Sequence, residues 1–353
     1  MRIVVTGAFG FLGRRLTGTL LHTRTFDGAP IERLVLADRM VQPGSPAATD
    51  PLVEIVHGDL TDHLDHLFGT PVDVLFHLAA AVSAECEADF DLGMRANVDT
   101  TRALLDAARA QTAAGRPASR VVFSSSLAVY GSDPALPPPQ VVSESTPPTP
   151  RSSYGTQKLI CEHLIADYTR RGFLDGRVAR LMTVAVRPGR PNAAASGFLS
   201  GIIREPLAGL PATCPVRPDL RVALASPRRT VEGLLRVAEA GRGVGPGLLV
   251  GQMPVNLPGL TVSVAEMLAT LRQVAGDAVA DRPRRRVHRG LVASRLRRQP
   301  RCRARPGARP ELPVARAGPP RRSPRPVPRR LNWCRQLPGP RGCSRCPHGP
   351  AWL

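Results

Sequence analysis

The chain opens with Arg2-Ile3-Val4-Val5-Thr6-Gly7-Ala8-Phe9-Gly10-Phe11-Leu12-Gly13, the stretch that decides its fold. Residues 2–6 form an apolar run typical of a buried strand, and helical apolar spacing follows from Leu12 onward. Between them, the pattern G-x-x-G-x-x-G permits a tight turn and lets backbone N–H groups approach a phosphate at the start of a helix. The stretch therefore predicts the first strand, turn and helix of a dinucleotide-binding fold.

Acidic residues follow the next two predicted strands. Asp38 ends the strand that begins at Arg33, where its carboxylate can accept ribose hydroxyls of an adenosine and repel a 2′-phosphate. This favours NAD over NADP, although the positive charge of Arg39 beside it partly offsets the repulsion of a 2′-phosphate. Asp59, after the third predicted strand, is placed to reach the adenine edge. The candidate cofactor contacts in this part of the chain are Gly7, Phe9, Gly10, Phe11, Leu12, Gly13, Asp38, Asp59, Leu60, Ala79 and Ala80.

Small and hydroxylated residues follow two further strands. The strand over residues 72–78 leads into Ala79 and Ala80, which let the chain pass close to a cofactor, and Ser83 just beyond faces either cofactor or substrate. The strand over residues 120–123 ends in a triple serine at residues 124–126. Open parallel sheets place ligands at the carboxyl ends of their strands. We therefore expect a serine hydroxyl here to hold a reacting oxygen.

A tyrosine and the only lysine of the chain lie four residues apart in Ser153-Tyr154-Gly155-Thr156-Gln157-Lys158. On a helix the two side chains share one face. A phenol has an unperturbed pKa of about 10, and a neighbouring ammonium favours its phenolate form. Alone, the spacing also suits a partly buried surface pair, but its occurrence after the glycine turn favours Tyr154 as a general base and cofactor contact, assisted by Lys158.

The formal net charge of +20 is concentrated at the end of the 353 residues. Residues 283–353 hold 20 arginines and one acid, so residues 1–282 carry a balance of only +1. No apolar run approaches the roughly 18 residues of a membrane span, and the seven cysteines show no disulfide framework. We expect a cytoplasmic, near-neutral globular protein with a basic tail, no membrane partner and no metal site.

Three regions follow from these patterns. Residues 1–190 are predicted to form an NAD-binding domain of the α/β class, a Rossmann-like, doubly wound parallel sheet with helices on both faces. Residues 191–282 are predicted to form a small, incomplete substrate-binding lobe with a helix over residues 261–274. A strand over residues 178–186 leads toward this lobe. Residues 283–353 form an Arg/Pro-rich segment that we expect to be disordered.

Three interpretations of residues 283–353 compete. The arginines would attract nucleic-acid phosphates, and Cys334, Cys343, Cys346 and His348 offer zinc ligands, although C-x-x-C occurs only once. A frameshift in a GC-rich gene would also produce this composition, which includes 14 prolines. The frameshift is the favoured interpretation, so nucleic-acid binding is not expected of the globular part, and loss of residues 283–353 should leave NAD affinity unchanged.

The glycine triad, Asp38, the triple serine and Tyr154-x-x-x-Lys158 together resemble an extended short-chain dehydrogenase/reductase of the NAD-dependent epimerase/dehydratase family, over roughly residues 1–240. Residues 89–94, 152–158, 186–196 and 200–207 resemble, more narrowly, the D-erythronate dehydrogenases. The R-D-[YF]-[IV]-H-V-x-D signature of sugar-nucleotide epimerases is absent. Two departures are Met182, where such enzymes more often have proline, and the lack of the family's acidic, helical C-terminal segment.

The resemblance implies NAD-dependent oxidation of D-erythronate, a small sugar acid, at C2 to 2-oxo-tetronate. In that reaction Tyr154 takes the hydroxyl proton, Lys158 also binds the nicotinamide ribose, Ser126 orients the reacting oxygen and Asn97 supports a proton relay. The implied substrate contacts are Ser83, Ser126, Tyr154, Asn192 and Arg228, with Arg228 preferred for the carboxylate over Arg204, Arg217 and Arg229. The superfamily resemblance also implies a homodimer.

Two other functions stay open. A sugar-nucleotide epimerase or dehydratase would use the same cofactor and tyrosine, but would retain its NAD and release no net NADH. A catalytically inactive NAD-binding module would bind the cofactor without turnover.

Overall fold

The computed structural model describes residues 1–41, 46–136, 139–189 and 196–276. The strands among these residues are β1 (Arg2–Thr6), β2 (Thr25–Phe26), β3 (Ala29–Pro30), β4 (Arg33–Asp38), β5 (Val53–His57), β6 (Val74–His77), β7 (Arg120–Ser126), β8 (Asp175–Leu181), β9 (Thr183–Val184), β10 (Arg221–Ala225), β11 (Val255–Asn256) and β12 (Leu260–Ser263). The α-helices are α1 (Phe11–Thr23), α2 (Leu64–Gly69), α3 (Ser83–Ala88), α4 (Phe90–Gly93), α5 (Thr100–Ala113), α6 (Ser153–Arg170), α7 (Gly197–Leu207), α8 (Pro227–Glu239) and α9 (Val264–Ala275).

Seven of these strands form one parallel sheet in the order β11-β8-β7-β6-β1-β4-β5. The chain runs outward from β1 through β4 to β5 and then returns to β6 on the other side of β1. Strand order therefore reverses beside β1, the point where doubly wound sheets bind ligands. The predicted fold class is confirmed.

Apolar residues cover both faces of the sheet because successive side chains of a strand point to opposite faces. Ile3 and Val5 of β1 belong to a core cluster with residues of α1 and α8. Val4 belongs to a second cluster with residues of α2, α5 and α6. The ends of β1, β4, β6 and β7 lie at the carboxyl edge of the sheet, and those ends carry the candidate site.

A smaller, three-stranded sheet in the order β12-β10-β9 lies beyond β8. The predicted strand over residues 178–186 is wrong as one element: it is interrupted at Met182, and β9 pairs with β10 rather than with the main sheet. The predicted helix over residues 261–274 begins only at Val264, because Ser263 caps it and the preceding residues form β12. The predicted lobe boundary at residue 190 stays a prediction, and residues 283–353 lie outside the described residues.

Candidate active site

The glycine turn approaches its surroundings too closely for any side chain. Gly7 has φ +67°, and a Cβ there would lie 2.7 Å from the backbone nitrogen of Ala79. A Cβ on Gly13 would lie 2.1 Å from the carbonyl oxygen of Gly7. Helix α1 starts directly after Gly10, with no side-chain cap and no acidic residue in its first turn. Its first backbone N–H groups are therefore a suitable cradle for a pyrophosphate.

Asp38 ties the end of β4 to this turn. Its Oδ2 accepts a hydrogen bond from the backbone N–H of Phe9 at 2.9 Å, and its Oδ1 accepts one from Met40 at 3.1 Å. The Phe9 side chain points into the core instead of toward a ligand, since it is buried in the cluster behind β1. Each carboxylate oxygen keeps further acceptor capacity for a ribose hydroxyl.

A groove crosses the carboxyl edge of the sheet from Asp38 to Tyr154. The part that we call the Asp38 half is lined by Gly7, Gly10, Asp38, Arg39, Asp59, Leu60, Leu78, Ala79, Ala80, Ala81, Ala96 and Thr100. The part that we call the Tyr154 half is lined by Gly7, Gly10, Phe11, Leu12, Gly13, Leu78, Ala80, Ala81, Val82, Ser124, Ser125, Ser126, Tyr154, Lys158, Leu181, Met182, Val184 and Arg187. Because the halves share residues of the glycine turn and of the segment after β6, one extended ligand can occupy both.

Asp59 lines the Asp38 half and organises the turn beneath it. Its Oδ1 accepts from the backbone N–H of Thr61 at 3.0 Å and from the Thr61 hydroxyl at 2.7 Å. These two hydrogen bonds lower the pKa of Asp59, so it carries its charge at neutral pH. Its contact with adenine stays a prediction.

Asn97 lies behind the groove and holds the segment after β6. Its side chain is 3 % exposed, its Oδ1 accepts from Ala81 N–H at 2.8 Å, and its Nδ2 donates to Gln157 Oε1 at 2.8 Å. Its carbonyl oxygen accepts from the hydroxyl of Thr101 at 2.5 Å. Asn97 is thus not among the residues lining the groove, its contacts position the segment after β6, and its part in a proton relay stays a prediction.

Tyr154 meets Ser126 because two elements approach closely. Ser152 caps α6 by accepting from Gly155 N–H at 3.1 Å, so the helix starts just before Tyr154. A Cβ on Gly155 would lie 2.1 Å from the carbonyl oxygen of Ala128, in the turn that follows β7. The Ser126 hydroxyl accepts from Ala128 N–H at 3.1 Å, and Ser126 lines the same half of the groove as Tyr154.

Lys158 lies one helical turn after Tyr154 and is buried. Its Nζ donates to the carbonyl oxygen of Ser124 at 2.9 Å, and lies 4.5 Å from the ring centroid of Phe123 and 5.7 Å from that of Tyr154. Burial lowers the pKa of Lys158 to about 8.

Burial raises the pKa of Tyr154 to about 12. Interaction with the Ser126 hydroxyl opposes this rise in the pKa, and so does the charge of Arg187. The sequence pattern predicts that Lys158 also lowers the pKa of Tyr154, and this stays a prediction. The phenol is therefore protonated at neutral pH until something else in the groove favours the phenolate.

Arg187 is the site residue that sequence reasoning missed. It follows β9 in Arg187-Pro188-Gly189 and lines the Tyr154 half together with Tyr154 and Ser126. Two signals pointed to it, its place after a strand near the carboxyl edge and its position within residues 186–196, but no spacing relates it to the tyrosine motif.

The predicted substrate contacts are only partly brought together. Ser126 and Tyr154 meet in the groove, and Ser83 begins α3 next to Val82, which lines it. The Arg228 side chain is 75 % exposed on α8, 3.8 Å from Glu232, and does not line the groove. Asn192 lies outside the described residues.

A buried ion pair supports the serine strand from behind. The Ser125 hydroxyl donates to Glu162 Oε1 at 2.5 Å, and Arg180 donates to both oxygens of Glu162 at 2.9 and 2.6 Å. Arg180 Nη1 also donates to the Tyr130 hydroxyl at 2.5 Å. Both charged side chains are almost fully buried, so the network fixes β7, β8 and α6 relative to one another.

Comparison with known proteins fits this geometry. The sequence pattern of the NAD dependent epimerase/dehydratase family matches residues 3–222. A D-erythronate dehydrogenase of Cupriavidus necator is 50 % identical over 289 residues, which cover 80 % of this chain and 84 % of that protein. Across the part of the chain that the structure describes, no helix is long and apolar enough to cross a membrane.

Solved structures share the fold. One titled as the nucleoside-diphosphate-sugar epimerase from Agrobacterium tumefaciens has a TM-score of 0.71 and 45 % identity, with 79 % of this chain and 80 % of that chain covered. MoeE5 in complex with UDP-glucose and NAD has a TM-score of 0.60 and 27 % identity, with 78 % and 82 % covered. The chain belongs to the NAD dependent epimerase/dehydratase family and is an NAD-dependent oxidoreductase.

Proposed function

We propose that this protein oxidises D-erythronate at C2 to the 2-oxo acid, 2-oxo-tetronate, with NAD as hydride acceptor. The observation that carries the proposal is that Ser126, Tyr154 and Lys158 line one half of a groove whose other half is lined by Asp38. The D-erythronate dehydrogenase of Cupriavidus necator, at 50 % identity, supports the choice of substrate.

The chain's own residues account for holding the cofactor. The backbone N–H groups that begin α1 suit its pyrophosphate, and Asp38 suits the adenosine ribose. Lys158 is assigned to the nicotinamide ribose, next to its hydrogen bond with the Ser124 carbonyl. When bound, NAD supplies the hydride acceptor of the reaction.

Proton transfer then falls to Tyr154. Its phenolate takes the proton of the C2 hydroxyl as C2 loses its hydride, so that C2 and its oxygen become a ketone. Ser126, whose oxygen accepts from Ala128 N–H, is assigned to donate its one hydroxyl proton in a hydrogen bond to the reacting oxygen. A pKa of about 12 makes Tyr154 a poor base at neutral pH. The positive charges of the groove must therefore lower that pKa before reaction, at about 1.4 kcal/mol for each pKa unit.

A second candidate is a sugar-nucleotide epimerase, because the Agrobacterium tumefaciens structure with 45 % identity carries that title. An epimerase uses its NAD twice within one turnover and returns it unchanged. Tightly retained NAD, with conversion of a UDP-hexose and no accumulation of NADH, would favour this candidate over the dehydrogenase.

The deciding experiment uses D-erythronate that carries deuterium at C2, with L-threonate and a UDP-hexose as parallel substrates. We expect NADH to form with D-erythronate, to contain the deuterium, and to accumulate in equal amount to a 2-oxo acid. Deuterium retained in the product would exclude oxidation at C2, and NADH formed only with L-threonate would reject the stereochemistry of the proposed substrate.

A further inference from the structure

We infer that Arg187 binds the carboxylate of the substrate and thereby selects a 2-hydroxy acid over an uncharged polyol. This inference rests on the proposed function, because it names the residue that recognises the acid group in the same groove. It replaces Arg228, the residue that the sequence favoured for this role.

The position of Arg187 relative to Tyr154 is the first reason. In a 2-hydroxy acid the carboxyl carbon is bonded directly to the carbon that bears the reacting hydroxyl, about 1.5 Å away. A cation that binds this carboxylate must therefore lie beside the base that takes the hydroxyl proton. Arg187 and Tyr154 line the same half of the groove, and the charge of Arg187 acts on the tyrosine.

The backbone of Arg187 is held at both of its polar groups by α7. Its N–H donates to the Ser200 hydroxyl at 3.0 Å, and its carbonyl oxygen accepts from Arg204 Nη1 at 2.7 Å. Ser200 is buried, and Arg204 is itself paired with Glu205. Two fixed backbone contacts orient the side chain before a ligand arrives, which reduces the entropy lost on binding.

The guanidinium is also suited to an anion. Its Nε donates to the carbonyl oxygen of Val184 at 3.2 Å, so that, with respect to the described residues, the two terminal nitrogens are the pair that can bind a carboxylate bidentately. Among the described residues, no carboxylate lies within 4.0 Å of it. Burial lowers the pKa of Arg187, so a ligand carboxylate would offset the cost of holding this charge away from water.

The other arginines considered for this role already have partners. Arg204 pairs with Glu205, and Arg217 lies 3.3 Å from Asp219. Arg229 lies 2.9 Å from Glu232, which also faces Arg228. The side chains of Arg217, Arg228 and Arg229 are mostly exposed, whereas substrate recognition beside Tyr154 requires a cation inside the groove.

The test compares an acid with an uncharged analogue in the full-length protein. We expect Arg187→Gln to raise the KM for D-erythronate at least about 30-fold, as when one partner of a buried charge pair is removed. The inhibition constant of erythritol, which lacks the carboxylate, should change by less than about threefold, because only the charge contact is lost. Arg187→Lys should fall between the two proteins, since it keeps the charge but not the bidentate geometry.

Control variants distinguish carboxylate binding by Arg187 from a general effect on folding and from a role of Arg228. Arg170→Gln removes an exposed arginine of α6 that pairs with Asp167, and should leave the KM unchanged. NAD affinity should be the same in all variants. Equal losses for D-erythronate and erythritol, or a loss that follows Arg228→Gln instead, would overturn the assignment.

Binding distinguishes failure of the inference from failure of the proposed function. Calorimetry measures the affinity of D-erythronate for the protein saturated with NADH, where no turnover is needed. Binding that is lost in Arg187→Gln would support the inference even if the wild-type protein oxidises no D-erythronate. Binding that is unchanged in Arg187→Gln would reject the inference even if turnover is efficient, and absence of binding to the wild-type protein would reject both.

Discussion

The two halves of the groove differ in what shapes them, which is mainly backbone in one and buried side chains in the other. The Asp38 half is shaped mainly by backbone: Gly7, which admits no Cβ, small alanines and strand ends held in register. The Tyr154 half depends on buried side chains, and burial moves the pKa of Tyr154 to about 12 and that of Lys158 to about 8. Cofactor binding is therefore expected to follow from the backbone of the fold, whereas the proposed proton transfer depends on charges that are buried at a cost in free energy.

The largest loss of NAD binding is expected at Gly13, where neighbouring backbone atoms leave no space for a side chain. In Gly13→Ala the new Cβ would lie 2.1 Å from Gly7 O, a backbone atom that can move only with the whole turn. Overpacking of this kind costs about 1 to 3 kcal/mol, so we expect the dissociation constant of NAD to rise by about 10- to 100-fold in calorimetry.

A matched variant on the same helix checks this expectation. No atom lies within 4 Å of a Cβ built on Gly18, so Gly18→Ala should keep NAD affinity. It should also stabilise the protein slightly, by up to about 1 kcal/mol, since alanine favours a helix over glycine. Equal loss of NAD binding in both variants would show that the turn is not selectively sensitive.

The next largest effect concerns the support behind the Tyr154 half. Glu162→Gln leaves the buried Arg180 without a carboxylate, so the free energy of unfolding should fall by about 3 to 5 kcal/mol. Denaturant unfolding measures it. Glu232→Gln, in an exposed pair with Arg229, should change stability by less than about 0.5 kcal/mol. A small effect of Glu162→Gln would mean that the buried ion pair does not hold α6 and β8 together.

His77 gives the sheet edge a dependence on pH. Its Nδ1 lies 2.7 Å from the hydroxyl of Thr6, its Nε2 lies 2.9 Å from that of Thr101, and burial lowers its pKa to about 3. Between pH 6.5 and 3 the unfolded chain therefore binds a proton that the folded protein does not. The free energy of unfolding should fall on acidification by up to about 1.4 kcal/mol per pH unit from this group.

The pH slope separates His77 from other titrating groups. Denaturant unfolding is measured at several pH values for the wild-type protein and for His77→Gln, whose side chain does not titrate. The slope should be shallower in the variant, while His66→Gln, at an exposed site beside Glu54, should keep most of it. Identical slopes in wild type and His77→Gln would reject the assignment.

The smallest effect is expected at Asp38. Asp38→Asn removes the charge that repels a 2′-phosphate but keeps an acceptor for Phe9 N–H. The ratio of kcat/KM for NADP to that for NAD should rise about tenfold, equivalent to roughly 1.4 kcal/mol. Asp62→Asn, which alters a neighbouring exposed acid outside the groove lining, should leave the ratio unchanged. An unchanged ratio in Asp38→Asn would mean that Arg39 or the backbone decides between the cofactors.

The Asp38 half could be predicted from the sequence because its determinants are local. A strand, three glycines and a helix within residues 2–23 create the cradle, and Asp38 ends the next strand of the main sheet. Of the predicted cofactor contacts, Phe9 alone fails to line the groove, since the turn directs its side chain into the core.

The Tyr154 half could be predicted only in part because its energetics are not local. Helical spacing indicates that Tyr154 and Lys158 share a face, but it does not report how deeply each is buried, and burial dominates both pKa values. Arg187 reaches the groove through its contacts with α7, and the pairing of Glu162 with Arg180 requires α6 and β8 to meet. Residue spacing does not predict contacts such as these, between elements that are distant in the sequence.

Cofactor binding and proton transfer are expected to depend on different residues of the groove, and Tyr154→Phe tests this separation. The same purified variant is assayed for NAD affinity by calorimetry and for NADH formation with D-erythronate. We predict a dissociation constant for NAD within about threefold of the wild type and a kcat lower by about 10²- to 10⁴-fold, the usual contribution of a general base. Turnover within about twofold of the wild type would reject Tyr154 as the general base. Loss of NAD binding together with turnover would show that NAD binding and proton transfer do not depend on separate residues.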